Sequence, residues 1–303
     1  MVDPLSEEER RRYARHLVLP HVGEKGQARL LESSVLVVGA GGLGSPALLY
    51  LAAAGIGKIG IIDHDSVDLS NLQRQVIHSS SNIGDPKAQS ASMRLKELNE
   101  DGDFLPIVER LTGENALSII SEYDVVIDGT DNFETRYLIG DACEILGKPW
   151  VFGSVHRFEG QVSTFNYEEG PNYRDLFPEP PPPELAPNCA EAGVLGVLPG
   201  LVGTIQATEA LKIILGIGDS LSGKLLTVDS LTMITRVLTF NRNPERAAVT
   251  SLGDDNLGVS SIRPVDFVSK KKEGWMPFLL DVRSEIEEGI VTLEGTDLRI
   301  THT

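Results

Sequence analysis

Apolar residues along this chain fall into short, β-branched runs separated by longer stretches of helical spacing. That alternation predicts a mostly parallel sheet flanked by helices. Residues 35–38 are such a run, bounded by glycine, and read as a buried strand. Residues 59–62 read as a second strand that ends at Asp63. Helical spacing over 45–54 joins the two into a βαβ unit spanning 34–63. Further helices are expected over 5–31, 86–99, 133–146 and 197–216, the last ended by Gly216. Further strands are expected over 123–131 and 150–153. Residues 161–167 alternate and start an antiparallel section, and 224–240 read as a pair of strands. The pattern loosens after residue 245. A linker is expected over 246–262, followed by a small separate piece over 263–303.

Composition narrows the picture. The 303 residues are 41% hydrophobic and 23% charged, as in ordinary globular proteins, and carry a formal net charge of −17. That charge argues against nucleic acid as the main partner, because phosphate contacts need a basic face. No stretch reads as long and apolar enough to span a bilayer, and the charged start cannot serve as a signal-peptide core. A cytoplasmic protein is expected, with no membrane partner. Two cysteines, Cys143 and Cys189, are too few for a disulfide framework or a four-thiolate zinc site. Cys143 sits in a helical pattern and reads as buried packing.

Candidate chemistry begins at the first βα turn. Gly39, Gly41 and Gly44 give G-x-G-x-x-G between a strand and a helix. Such a turn lets backbone approach phosphate closely at a helix N-terminus. NAD-dependent oxidoreductases share this fingerprint, and Asp63 lies where a ribose-binding acid belongs. The residues beyond Asp63 suit hydride transfer less well. Asn71 and Arg74 come just after the second strand, Lys87 opens a helix, and Asp128 and Asp131 stand at a strand end. Strand carboxyl ends line the ligand crevice of an open parallel sheet. Two cations, a carboxamide and separated carboxylates there suit a nucleoside triphosphate with Mg²⁺.

The segments GAGGLGSP, DSVDLSNLQRQ, GDPKA and DGTDNFETR, with the opening RRYARHLVLP, resemble the ubiquitin-activating-like adenylyltransferases of the MoeB/ThiF/HesA family. The resemblance covers residues 10 to about 245 and implies an adenylation domain over 1–245. It implies ATP-dependent adenylation of the C-terminal glycine carboxylate of a ubiquitin-like sulfur carrier ending in Gly-Gly, activating it for thiocarboxylate formation. Asp63 matches the residue that bonds the ATP ribose. Asn71, Arg74 and Lys87 match phosphate contacts, and Gly41 and Gly42 match backbone near the α-phosphate. Asp131 matches the catalytic, Mg²⁺-binding aspartate. Arg15 matches an arginine that reaches into the neighbouring subunit's site, which implies a homodimer.

Many relatives carry a structural zinc on two C-x-x-C pairs. Here Asn172 and Asp175 hold the first pair's place, and ERAAVTSLG at 245–253 holds the second, so no zinc is expected. PNYRDLFPEPPPPELAPNCAEAG is similar to the zinc-free MoeZ type, with the Pro-rich part as a stiff crossover loop. Cys189 matches a cysteine that some members use in covalent sulfur or thioester chemistry. Residues 278–300 resemble the opening of a rhodanese domain whose active-site cysteine loop would lie beyond Thr303. The piece over 263–303 is therefore expected to be a truncated rhodanese-like fragment, with sulfur coming from an external donor. Two readings from other classes stay open at this point. One is an NAD-dependent oxidoreductase. The other is a noncatalytic binding module on the same fold.

Overall fold

The computed structural model describes residues 5–181, 193–252, 264–272, 275–276, 280–281 and 298–299. The chain divides into two compact units, Met1–Asp255 and Asn256–Thr303.

The first unit is built on an eight-stranded sheet. Its strands are β1 (Ser34–Val38), β2 (Lys58–Ile62), β3 (Asp103–Ile107), β4 (Val125–Asp128), β5 (Trp150–His156), β6 (Glu159–Phe165), β7 (Lys224–Asp229) and β8 (Ile234–Thr239). They lie in the order β3-β2-β1-β4-β5-β6-β7-β8. Pairing is parallel from β3 to β5 and antiparallel from β5 to β8. In β1 the alternation of the pleat sends Val35 and Val37 into one apolar cluster and Leu36 and Val38 into another. A strand buried on both faces has helices on both sides, and its sequence is accordingly continuous and β-branched.

On one face lie α4 (Gly44–Ala54), α5 (Lys87–Leu98) and α9 (Val197–Leu215); on the other lie α6 (Ala116–Ser121) and α7 (Phe133–Leu146). Asn132 caps α7, its Oδ1 accepting from the Thr135 N–H at 2.8 Å. Gly147 and Gly216 end α7 and α9 in the left-handed conformation. Gln206 of α9 donates its amide to the Asp128 and Val151 carbonyls, at 2.7 and 3.1 Å, and so ties the helix to β4 and β5.

Three expectations change. The single helix read over 5–31 is three: α1 (Glu7–Arg12), α2 (Ala14–Leu17) and α3 (Gly23–Glu32). Pro20 pushes the residue before it away from helical backbone, and Gly23 turns with φ +55°. Strand β3 was not expected. Finally, α9 is long and apolar enough, by composition alone, to cross a membrane. It packs instead against α4, β5 and β6, with Gln206 and Glu209 buried. Its apolarity is that of a core helix.

The second unit shows a helix, α10 (Pro264–Lys272), and a parallel pair of two-residue strands, β9 (Leu280–Asp281) and β10 (Leu298–Arg299). The Pro-rich crossover, 178–187, is described only over 178–181; its remainder and Cys189 fall within 182–192, outside the described residues.

Candidate active site

The strand order reverses at β1, which has β2 on one side and β4 on the other. In an open α/β sheet the crevice at such a switch point is where ligands bind. Here the backbones after β1 and β4 touch. The Gly129 N–H donates to the Val38 carbonyl at 2.8 Å, and a Cβ on Gly39 would come within 2.8 Å of the Gly129 oxygen. Gly39 also needs φ +95°, and a Cβ on Gly44 would collide with the Gly39 oxygen. The turn between β1 and α4 is therefore closed to side chains at Gly39 and Gly44, and Gly39, Gly41 and Gly42 line a cavity of about 520 Å³.

Asp63, at the end of β2, braces this turn. One carboxylate oxygen accepts from the Ala40 N–H at 2.8 Å and the other from the Asp65 N–H at 2.9 Å. Behind the turn sits His78, which sequence reasoning passed over. Its Nε2 donates to the Ala40 carbonyl at 3.0 Å, and its Nδ1 accepts from the Ser90 hydroxyl at 2.8 Å. Burial pushes this imidazole below its ordinary pKa, in keeping with a neutral ring whose two nitrogens are both used.

The expected cations reach the same cavity. Lys87 begins α5, is 7% exposed, and holds Asp65 at 2.9 Å. Arg74 is half-buried, with Nη1 donating to the Ser70 carbonyl at 3.2 Å. Asp131 lies at the opposite lip. It is exposed, and among the described residues it has no hydrogen-bond or ion-pair partner. Asp128, three residues earlier, is wholly buried. It accepts from Thr130 N–H and hydroxyl and from Arg136 Nε at 3.1 Å. Asp128 is thus part of the scaffold and Asp131 is available to a ligand. The cavity continues past β5 and β6, where Ser154, His156, Glu159 and Gln161 face it beside Phe152 and Phe177.

Of the residues singled out from sequence, Gly39, Gly41, Gly42, Asp63, Arg74, Lys87 and Asp131 line this cavity. Gly44 lies beneath the turn. Asn71 does not line the cavity. It closes the short helical turn Leu69–Asn71, its Oδ1 accepting from the Asp68 N–H at 3.2 Å. Arg15 is exposed on α2, outside the cavity, with no side-chain partner among the described residues. Cys143 is buried, and burial pushes its thiol far up, which makes it inert packing.

A second polar cluster joins Asn172 and Asp175, the positions the sequence resemblance set against a zinc-ligand pair, to Arg246 and Glu144. Arg246 donates to Asp175 at 2.9 Å and to both oxygens of Glu144, at 2.9 and 3.1 Å. Asp175 also accepts from the Asn172 and Asn243 N–H groups, and Glu144 from the Asn172 amide. The residues here offer no thiolate and place a guanidinium at the centre. That donor set does not fit zinc.

A doubly wound sheet with a glycine turn, two cations and a carboxylate unpartnered among the described residues at its switch point defines a nucleotide-binding α/β protein. The chain belongs to the ThiF family, whose model matches residues 13–248. It is 46% identical, over 325 aligned residues, to the probable adenylyltransferase/sulfurtransferase MoeZ of Mycobacterium tuberculosis, covering 98% of this chain and 81% of that protein. It is 52% identical, over 244 residues, to the sulfur carrier protein adenylyltransferase of Thermus thermophilus, covering 79% of this chain and 90% of that one. Among solved structures, E. coli MccB with ATP superposes with a TM-score of 0.68 over 78% of this chain and 74% of that one. At 20% identity that is a likeness of fold alone. Relatives this similar are named as adenylyltransferases, and nucleotidyl transfer is the enzymatic class of this chain.

Proposed function

We propose that this chain uses ATP to adenylate the C-terminal glycine carboxylate of a ubiquitin-like sulfur carrier ending in Gly-Gly, readying it for thiocarboxylate formation. One observation carries the reading: Arg74, Lys87, Asp131 and the glycine turn line a single cavity. The names of the relatives support the carrier as substrate. Ile234 and Leu238, exposed on one face of β8, support a protein partner.

In this reading Asp63 bonds the ribose, and the Gly41 and Gly42 amides meet the α-phosphate. Arg74 and Lys87, which line the cavity, hold the phosphates. A carboxylate oxygen of the carrier forms a bond to the α-phosphorus while the bond to the pyrophosphate oxygen breaks. The acyl-adenylate stays and pyrophosphate leaves. The attacking group is already an anion, so no general base is required. The difficulty is bringing one anion against another, and the fixed cations offset that repulsion. The Asp131 carboxylate, which has no partner among the described residues, would hold a hard divalent cation. Magnesium held there would supply Lewis-acid stabilisation of charge on the phosphates.

We infer a homodimer in which Arg15, exposed and without a side-chain partner among the described residues, completes the partner's site. Sulfur comes from an external donor, and a covalent role for Cys189 is tested by Cys189→Ser. Oxidoreduction with NAD would leave Arg74, Lys87 and Asp131 without work.

The test is ATP–pyrophosphate exchange with a panel of ubiquitin-like proteins ending in Gly-Gly. Exchange that depends on one of them supports the reading. Its absence with all of them, together with thermal stabilisation by NAD and none by ATP with Mg²⁺, overturns it.

A further inference from the structure

Among the described residues Asp65 is the carboxylate that touches Lys87, and no sequence signal marked it. The two residues are pinned together twice. Their side chains pair at 2.9 Å, and the Lys87 N–H donates to the Asp65 carbonyl at 2.8 Å. The flanking bonds Val67 N–H to Asp85 and Gly84 N–H to Val67, both 2.9 Å, clamp the two segments into a short antiparallel bridge. Asp63, which braces the glycine turn, also accepts the Asp65 N–H. The turn, Asp63, Asp65 and Lys87 therefore form one connected unit.

Exposure separates the two partners. The Lys87 side chain is 9% exposed and that of Asp65 is 53%. A buried ammonium that lost this partner would be an uncompensated charge, whereas a half-exposed carboxylate that lost its partner would be solvated. Lysine reaches its site on a flexible four-carbon stem, so something must fix where the charge points. An ammonium has three donors, and Asp65 uses one. The remaining donors are left for the cavity that both residues line. Burial raises the Asp65 carboxyl, but the Lys87 hydrogen bond and charge outweigh it, so the group sits below the usual carboxylate range and stays ionised.

We propose that Asp65 is a positioning residue: it holds the Lys87 ammonium at the phosphate end of the cavity so that it is in place when charge develops on the leaving pyrophosphate. This rests on the adenylation reading above. The opposite hypothesis is that Asp65 competes with phosphate for Lys87, and the two differ in sign.

The experiment compares wild type, Asp65→Asn, Asp65→Glu and Lys87→Ala in ATP–pyrophosphate exchange with the responsive Gly-Gly carrier, alongside calorimetric titration of a non-hydrolysable ATP analogue with Mg²⁺ and thermal unfolding. A displaced catalytic group typically costs about 10²-fold in rate. We expect Asp65→Asn to lose kcat on that order, with a much smaller change in KM for ATP, and Asp65→Glu to recover part of the loss. Wild-type kcat in Asp65→Asn, with Lys87→Ala inactive, would overturn the positioning role alone. Tighter analogue binding with kcat kept would also overturn it, in favour of competition. Loss of rate in both Asp65 variants in step with lost thermal stability would reduce Asp65 to a structural part. A wild type that exchanges with no carrier would remove the adenylation reading and this inference with it.

Discussion

Lys87 and Arg246 are both largely buried cations beside carboxylates, and they do opposite things. Lys87 pairs with one carboxylate, and that partner is half exposed to the cavity. Arg246 pairs with two, Glu144 and Asp175, whose side chains are 10% and 0% exposed. Both acids are further bonded by Asn172, and Asp175 also by the Asn243 N–H. At Arg246 every strong acceptor is occupied, so the cluster can only hold the segment after β8 against α7 and α8 (Tyr173–Leu176). At the cavity the ammonium keeps unused donors, Arg74 has only a backbone carbonyl, and Asp131 has no partner among the described residues. A saturated charge cluster is architecture, and an unsaturated one in a cavity is a site. The same contrast separates Asp128, locked by Arg136 and Thr130, from Asp131 three residues on.

That contrast can be broken by substitution. The largest effect is expected at the saturated cluster. Arg246→Ala leaves buried carboxylates unpaired and should cost about 3–5 kcal/mol of stability, read by urea unfolding. Its exchange rate per folded molecule should stay near wild type. Lys87→Ala and Asp131→Ala should do the reverse. Each should lose about 10²–10³ in exchange, with little change in the unfolding midpoint. A large stability loss in these two, with activity spared, would exchange the roles assigned to the two regions.

Arg15 sharpens the comparison from outside the cavity. Arg15→Ala and Lys87→Ala should each be inactive alone. In a shared-site dimer, re-associated mixtures of the two should regain about a quarter of the native rate, because half of the dimers carry one intact site. No recovery after verified subunit exchange would exclude Arg15 from the partner's site. The smallest effect concerns His78. Its folded pKa is depressed, so the unfolded chain binds the proton more tightly, and stability falls as pH drops below about 6.5. The slope is at most about 1.4 kcal/mol per pH unit, and His78→Asn should flatten it.

Much of this was legible in the sequence for physical reasons. The runs that became β1 and β2 are β-branched because both faces are buried, and the glycines between them are required where backbone meets backbone. Strand β3 was hidden because its core is DFLPI. Proline is tolerated there only because β3 is the sheet's edge and pairs on one side alone. The sequence order of Asn71, Arg74, Lys87 and Asp131 pointed to one pocket, and three of the four reach it. Pairing between distant segments could not be read. Nothing in HDSVD shows that Asp65 meets Lys87, and nothing in QVIHSS marks His78 as the support of the Gly39–Gly42 turn. Nor does ERAAVTSLG reveal that its arginine lies between Glu144 and Asp175. Each depends on contacts made only once the sheet has formed.

The central claim is attack at the innermost phosphorus of ATP by a carrier's terminal carboxylate. Intact-mass analysis of the responsive Gly-Gly carrier, incubated with this chain, ATP and Mg²⁺ and quenched with hydroxylamine, tests it most directly. The account expects a carrier hydroxamate formed in step with AMP and pyrophosphate. An unmodified carrier with ATP converted to ADP and phosphate would contradict it.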